Sequence, residues 1–203
     1  YTVGFNLSDY QSEVTKFDNE SKELGNWYVG QKQGEIWGYE TYGLFQSEQE
    51  IAGAANQDKV SGGIKLMPGD IRFVDRNNDG VIDWGDNTVD NPGDKKIIGN
   101  STPRYHYGIN LGADWKGFDL GIFFQGVGKR DLYLPGTSFR SHYGSEWQVP
   151  SAYNNDYWTE ENTGAYFPRA RFNGGSAINQ AQTRYMAVSY THLRAHETGA
   201  YLV

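Results

Sequence analysis

Two stretches of strict alternation, separated by Lys116 and Gly117, constrain this chain more than any other feature. In the first, Tyr105, Tyr107, Ile109, Leu111, Ala113 and Trp115 take every odd position, and His106, Gly108, Asn110, Gly112 and Asp114 fill the even ones. In the second, Phe118, Leu120, Ile122 and Phe124 alternate with Asp119, Gly121, Phe123 and Gln125, Phe123 being the exception. A period of two belongs to a strand with unlike faces, and a two-residue link containing Gly closes a tight hairpin. The pattern predicts one hairpin, residues 105–115 against 118–127. Each arm is about 10 residues, the length at which a tilted strand crosses a bilayer, against about 5 to 6 in ordinary soluble sheets. Tyr105 and Tyr107 at one end, with Trp115 and Phe118 at the other, supply the aromatic girdles that a membrane barrel places at its two interfaces. A long hairpin in a soluble β-sandwich has the same period.

The composition suits strands better than helices. Of 203 residues 26 are Gly, well above the average of roughly 7%. The absence of Cys excludes disulfide scaffolds and thiolate metal sites. Mean hydropathy is -0.70 and no apolar run reaches the ~18 residues of a membrane helix, so helical membrane proteins are excluded while barrels are not. With 18 Lys and Arg against 25 Asp and Glu, the net charge is -7, and no basic cluster is present to follow a phosphate backbone, so nucleic acid is not expected as a partner. Tyr1 stands where an initiator Met would, and the residues from Tyr1 to Leu7 already read as a strand; the expectation is a chain that begins inside a longer protein.

Along the chain, Val3, Phe5 and Leu7 alternate with small and polar residues, and a polar loop then leads to an expected strand around Trp27 and Val29. The segment EIWGYETYGLFQ at 35–46 is rich in aromatics and Gly, and SEQEIAGAANQDKVSGG after it favours a loop over a short helix. Strand-like sequence at 64–74 runs into an Asp-rich stretch that ends near Asn100. Residues 128–182 form a long, aromatic-rich connection, and loops of that length in a compact unit are usually functional or disordered.

Two constellations carry candidate chemistry. DRNNDGVIDWGD places oxygen ligands at positions 1, 3, 5, 9 and 12 of a calcium loop, namely Asp75, Asn77, Asp79, Asp83 and Asp86, with Gly80 at position 6 for the reversal and the Val81 carbonyl at position 7. Alternate residues of a tight turn bring hard oxygens to one point, as Ca²⁺ requires. Position 12 is Asp rather than Glu and the flanks are strand-like, so a bound ion would be structural. Asn, Asp and Gly in such a run also make turns without any ion. The second constellation is aromatic: Trp147, Tyr157 and Trp158 offer stacking surfaces to a substrate or partner, although such residues also pack loops onto their own scaffold. His192 and His196 stand at i and i+4 without a third ligand nearby. No nucleophile elbow, phosphate-binding loop or dinucleotide fingerprint occurs, and no carboxylate pair is singled out for glycoside hydrolysis, which needs two in one cleft about 5 to 10 Å apart. No enzyme activity is expected.

Four segments together resemble a known family: YVGQKQGEIWGYETYGLFQS at 28–47, PGDIRFVDRNNDGVID at 68–83, IIGNSTPRYHYGINLGADWKGFDLGIFFQGVGKRDLY at 97–133 and DYWTEENTGAYFPR at 156–169. In order and spacing they are similar to the C-terminal part of SusC/RagA-type TonB-dependent outer-membrane transporters of Bacteroidetes. The resemblance implies an all-β fold, antiparallel strands forming part of a barrel of about 22 strands with long extracellular loops. It covers residues 1–187. The 188–203 segment, VSYTHLRAHETGAYLV, departs from the family and reads as a non-native tail of adapter or out-of-frame origin, which removes His192 and His196 from consideration. The implied role is import of a glycan or peptide across the bacterial outer membrane. The implied partners are a SusD-like lipoprotein lid, TonB-ExbB-ExbD through N-terminal parts outside this chain, membrane lipid, and an oligosaccharide or peptide substrate. Bacterial barrels keep short turns periplasmic, so Lys116 and Gly117 would face the periplasm and both candidate loops the exterior. The alternative is a secreted, calcium-stabilised β-protein that binds carbohydrate. In a barrel Tyr107, Ile109, Leu111, Leu120, Ile122 and Phe124 would lie on one uncovered face; in a sandwich they would be buried.

Overall fold

The computed structural model describes residues 1–133, 156–171, 182–188 and 194–198. In chain order its strands are β1 (Thr2–Ser8), β2 (Glu35–Tyr39), β3 (Thr41–Leu44), β4 (Ile71–Phe73), β5 (Lys95–Asn100), β6 (Arg104–Trp115), β7 (Phe118–Lys129), β8 (Asp131–Tyr133), β9 (Met186–Val188) and β10 (Arg194–Thr198), with two short helices, α1 (Glu48–Ala52) and α2 (Asp58–Ser61), between β3 and β4. Among the described residues every strand pair is antiparallel, so the fold they show is all-β with minor helix. One sheet has four strands in the order β1-β6-β7-β10; the others are the pairs β2-β5, β3-β4 and β8-β9.

The predicted hairpin forms as β6 and β7. Lys116 and Gly117 both have positive φ, 49° and 84°, the type I′ geometry whose twist matches that of the flanking strands. Register then sorts the side chains. Val3 pairs with Leu111, Phe5 with Ile109 and Leu7 with Tyr107; Ile109 pairs in turn with Phe124, Leu111 with Ile122, Ala113 with Leu120 and Trp115 with Phe118. Residues directly opposite share a face, so β1, β6 and β7 present one continuous apolar surface. The other face carries Asn6, His106, Asn110, Asp114, Asp119, Gln125 and several Gly, with Phe123 and Val127 as apolar exceptions. Among the described residues no layer covers the apolar side: Val3 is 70% exposed, Phe5 67% and Leu120 57%, and none of the six residues chosen above to tell barrel from sandwich is buried.

At the end away from the Lys116–Gly117 turn, Ser8, Arg104 and Lys129 all lead into a second, packed region. Its core joins Tyr39, Leu44, Val60, Ile71, Phe73, Ile82, Trp158 and Ala165, and none of these residues belongs to the four-stranded sheet. Gln57, itself buried, ties α2 to β4 by donating to the Ile71 carbonyl and accepting from the Phe73 amide, at 3.0 and 2.8 Å.

Three local expectations are corrected. No strand forms around Trp27 and Val29: the Tyr28 amide donates to the Gln31 side chain at 3.3 Å, the Tyr28 carbonyl accepts from the Gln31 amide, and these turn bonds use backbone groups that a ladder would need. The 47–63 segment is not a plain loop, because the Ser47 hydroxyl accepts from the Glu50 amide at 3.2 Å and caps α1. Within 64–74 only β4 is extended. In addition β10, from the segment expected to be a non-native tail, lies along the free edge of β7, with Ala195 opposite Phe124 and Glu197 opposite Ile122. An exposed edge offers unpaired backbone groups to any extended segment, whatever its side chains.

Candidate functional site

The Asp-rich loop begins where β4 ends. Asp75 spends both carboxylate oxygens on the reversal, accepting from the Asn78 amide at 2.7 Å and the Gly80 amide at 2.8 Å. Gly80 has φ 83°, a conformation that L side chains rarely adopt. Asn77 Oδ1 accepts from the Asp79 backbone amide at 3.1 Å, Asn77 Nδ2 donates to Asp79 Oδ2 at 2.8 Å, and Asp79 Oδ1 accepts from the Val81 amide at 2.8 Å. The first three predicted ligands are thus gathered around one turn. Ile82, fully buried, anchors its exit, and the Asn56 backbone clips the loop from both sides, donating to the Gly80 carbonyl at 2.8 Å and accepting from the Ile82 amide at 2.7 Å.

The last two predicted ligands are drawn elsewhere. Asp83 Oδ2 meets the Lys59 ammonium at 2.6 Å and Oδ1 accepts from the Gly85 amide at 2.8 Å. The Lys59 hydrogen bond, then the Gly85 amide, hold the Asp83 carboxyl below the usual carboxylate range, and the same contact raises the Lys59 ammonium. Asp86 Oδ2 accepts from the Asn91 side chain at 2.8 Å. Among the described residues no group of three or more His, Asp or Glu side chains is placed to hold a metal ion. The donor chemistry suits a hard cation, but this arrangement serves backbone amides, two Asn side chains and one ammonium.

A residue that sequence reasoning passed over organises the loop. Asp94 is fully buried and accepts from the Arg76 amide at 2.8 Å and the Asp83 amide at 2.9 Å, so one carboxylate links both ends. Its only signal was an Asp after Pro92-Gly93, which marks any turn.

Of the aromatic candidates, Trp147 lies outside the described residues. Tyr157 is partly exposed at the surface. Trp158 is corrected: at 3% exposure it belongs to the core rather than to an open stacking platform. Its indole donates to the Gln46 side-chain oxygen at 3.1 Å, the Arg169 guanidinium lies 5.4 Å from the ring centroid, and Gly69, with φ 93°, passes so close that a Cβ there would sit 2.5 Å from the ring. The whole 156–171 segment is clasped onto the turn before β4. Arg169 donates to the Pro68 carbonyl at 3.2 Å, and Arg171 makes a two-pronged ion pair with Asp70, its Nε at 3.0 Å from Oδ1. Asp70 is fully buried, so the pair is desolvated and costly to break.

No family model matches the chain. Two curated relatives do, both from Formosa agariphila: TonB-dependent receptor P39, 26% identical over 182 residues, which covers 74% of this chain and 17% of that protein, and TonB-dependent receptor P3, 33% identical over 96 residues, 47% of this chain and 8% of that protein. The chain therefore spans less than a fifth of the length of either relative.

Proposed function

We propose that this chain is part of a TonB-dependent receptor of the outer membrane, with β1, β6 and β7 forming a section of the barrel wall and the packed region standing outside the cell. The observation that carries the reading is the uncovered apolar face shared by those three strands, backed by a polar and Gly-rich face that would line the lumen. Each of β6 and β7 has 12 residues, which at about 3.3 Å per residue is about 40 Å, enough to cross ~30 Å of hydrocarbon at the tilt of a barrel strand. The two relatives support the same family. A secreted carbohydrate-binding protein would need a second layer over the apolar face, and none of the described residues supplies one.

The finer reading is a SusC/RagA-type importer of an oligosaccharide or peptide, working with a SusD-like lipoprotein lid and energised through TonB-ExbB-ExbD by parts beyond this chain. The residues present here would contribute wall and outer surface, with no bond-making chemistry. Calcium at the Asp75–Asp86 loop belongs to the proposal in a restricted form: Asp75, Asn77, Asp79 and the Val81 carbonyl form the nucleus, and Asp83 and Asp86 would have to leave Lys59 and Asn91.

Orientation supplies the test. This chain contains no Cys, so in a full-length protein with any Cys outside it replaced by Ser, single Cys residues placed at Lys116 and at Asp58 can be labelled separately. In intact cells an impermeant maleimide is expected to label the Asp58 position, and the Lys116 position only after the outer membrane is opened. The reverse pattern, or equal labelling of both, overturns the placement; growth on the cognate nutrient that persists without TonB overturns the transport reading.

A further inference from the structure

A cavity of about 400 Å³ lies on the packed region between β3, β4 and the 163–165 turn, lined by Tyr42, Gly43, Glu50, Arg72, Thr163 and Arg184 among others. Arg72 is the unusual member. Its neighbours in β4, Ile71 and Phe73, are both buried, so its backbone is rigidly held. Its guanidinium lies 5.2 Å from the Tyr42 ring centroid and 6.0 Å from that of Phe45. It makes no ion pair or hydrogen bond through its side chain with any described residue. Arg72 thus lines the cavity beside two rings and without a described acceptor, and a guanidinium in that position is suited to two-pronged recognition of an oxyanion.

The surroundings add charge and space. Gly43 is the register partner of Arg72, and a Cβ built there meets nothing within 4 Å, so the floor of the cavity is bare backbone. Arg184 brings a second guanidinium, which donates to the Tyr166 and Ala165 carbonyls and makes no direct ion pair among the described residues, although Asp156 is near enough to feel its charge. Glu50 is the opposing charge, and its Oε2 accepts from the Gln46 amide at 2.8 Å. Tyr42, 72% exposed, carries Arg72 on one side and keeps a broad surface for a flat, partly apolar group, as a pyranose ring is.

We propose that this cavity binds an acidic saccharide, a sugar carboxylate meeting the N–H edge of Arg72 while a neighbouring sugar ring covers Tyr42. The inference rests on the reading of the packed region as an outer, substrate-facing surface, and sharpens the substrate class to a uronate-bearing glycan. A purely acidic peptide such as oligoglutamate offers the same carboxylate to Arg72 but has no ring to cover Tyr42.

The test is calorimetric titration of the full-length protein in detergent with short oligogalacturonate, neutral cello-oligosaccharide and oligoglutamate. The expected order places oligogalacturonate tightest. Arg72→Gln is expected to weaken it at least about tenfold, the loss of a charge-assisted pair, Arg72→Lys less, and Tyr42→Ala to weaken it while leaving the acidic preference intact. Thermal unfolding of the variants serves as the folding control. Equal binding of neutral and acidic sugars, tighter binding of oligoglutamate, no binding of any probe to the unaltered protein, or an Arg72→Gln variant that folds and binds normally would each overturn the proposal. Because binding is read in detergent, a failure here is distinct from a failure of the labelling pattern that tests orientation.

Discussion

The four-stranded sheet and the packed region solve the burial of apolar side chains in opposite ways. In the sheet, alternation sends Val3, Phe5, Leu7, Leu111 and Leu120 to one side and leaves them uncovered. In the packed region, short strands and irregular turns bring residues from distant segments, Tyr39, Val60, Ile82 and Trp158, into one buried cluster. The sheet is regular and has no core of its own; the packed region is irregular and has one. In water the first arrangement lacks the burial that stabilises the second, and in the proposed barrel placement a bilayer would supply it. The contrast teaches that regularity of pattern marks the part that depends on its surroundings for stability, while the less patterned part is held by its own contacts.

The largest expected effect tests the self-contained half. Trp158→Ala removes a buried indole from the centre of the cluster and is expected to cost about 3 to 5 kcal/mol, read as a loss of amide-exchange protection in β3 and β4 of the full-length protein while β6 and β7 keep theirs. Loss of protection in the hairpin as well would show that the two halves are one cooperative unit. Arg171→Ala comes close behind, because it leaves Asp70 buried without its partner, at a cost of about 3 to 5 kcal/mol by analogy with other broken buried pairs.

The dependent half is broken differently. Leu111→Arg, near the middle of β6, is expected to cost about 2 to 4 kcal/mol of stability in lipid and to lower outer-membrane abundance. The same change in Asn110, one position along and on the opposite face, is expected to have little effect. Similar losses for both would mean that the two faces are not distinguished by lipid and water.

How much of this was legible in the sequence follows the same division. The hairpin, its turn and its register could be read directly because period two leaves no other repeat that fits, and the polar face followed from it. The packed region was opaque. Its strands are three to six residues long, too short for a period to appear, and its decisive contacts join residues about a hundred positions apart, Asp70 with Arg171 and Gln46 with Trp158. Trp158 looked like a ligand platform because an aromatic in a polar loop carries no mark of what will cover it. The short helix after Ser47 was readable from the Ser and the Glu three residues on, but the Gly and Asn that follow outweighed it. The calcium spacing was plain to see; the competing partners Lys59 and Asn91 were not, since both lie outside the motif.

A smaller effect concerns Tyr28, whose hydroxyl donates to Glu35 Oε2 at 2.6 Å. Burial first, and the neighbouring carboxylate second, push this phenol up to about 12, against about 10 unperturbed. The folded pKa is raised, so the contribution to stability is complete below pH 10 or so and is lost as pH climbs toward 12. Burial also raises Tyr39 and Tyr166, so the difference between the absorbance titrations of the parent and Tyr28→Phe should isolate this late-ionising phenol, and Glu35→Gln should bring it back toward the ordinary value. An unchanged titration in that variant would assign the shift to burial alone.

The smallest effect separates the two readings of the Asp-rich loop. Lys59 and Asp83 form an ion pair whose ammonium side is exposed and whose carboxylate is half-buried, and pairs open to water in this way contribute about 1 kcal/mol or less. Because the Asp83 carboxyl is lowered in the folded protein, its contribution is present at neutral pH and is lost only as pH falls below about 4. Lys59→Met should therefore shift stability slightly at pH 7 and not at all in strong acid. It also leaves Asp83 without its cation, beside Asp79 and within the same loop, where repulsion between carboxylates now favours any divalent ion that can bridge them. If the loop is a calcium site held closed by Lys59, titration of the full-length protein should show Ca²⁺ binding several-fold tighter in Lys59→Met than in the parent, and lost again when Asp75 and Asp79 are replaced by Ala. Absence of Ca²⁺ binding in both the parent and Lys59→Met would assign the Asp side chains wholly to backbone amides, with Lys59 as the positive charge that the spacing had led one to expect from a metal.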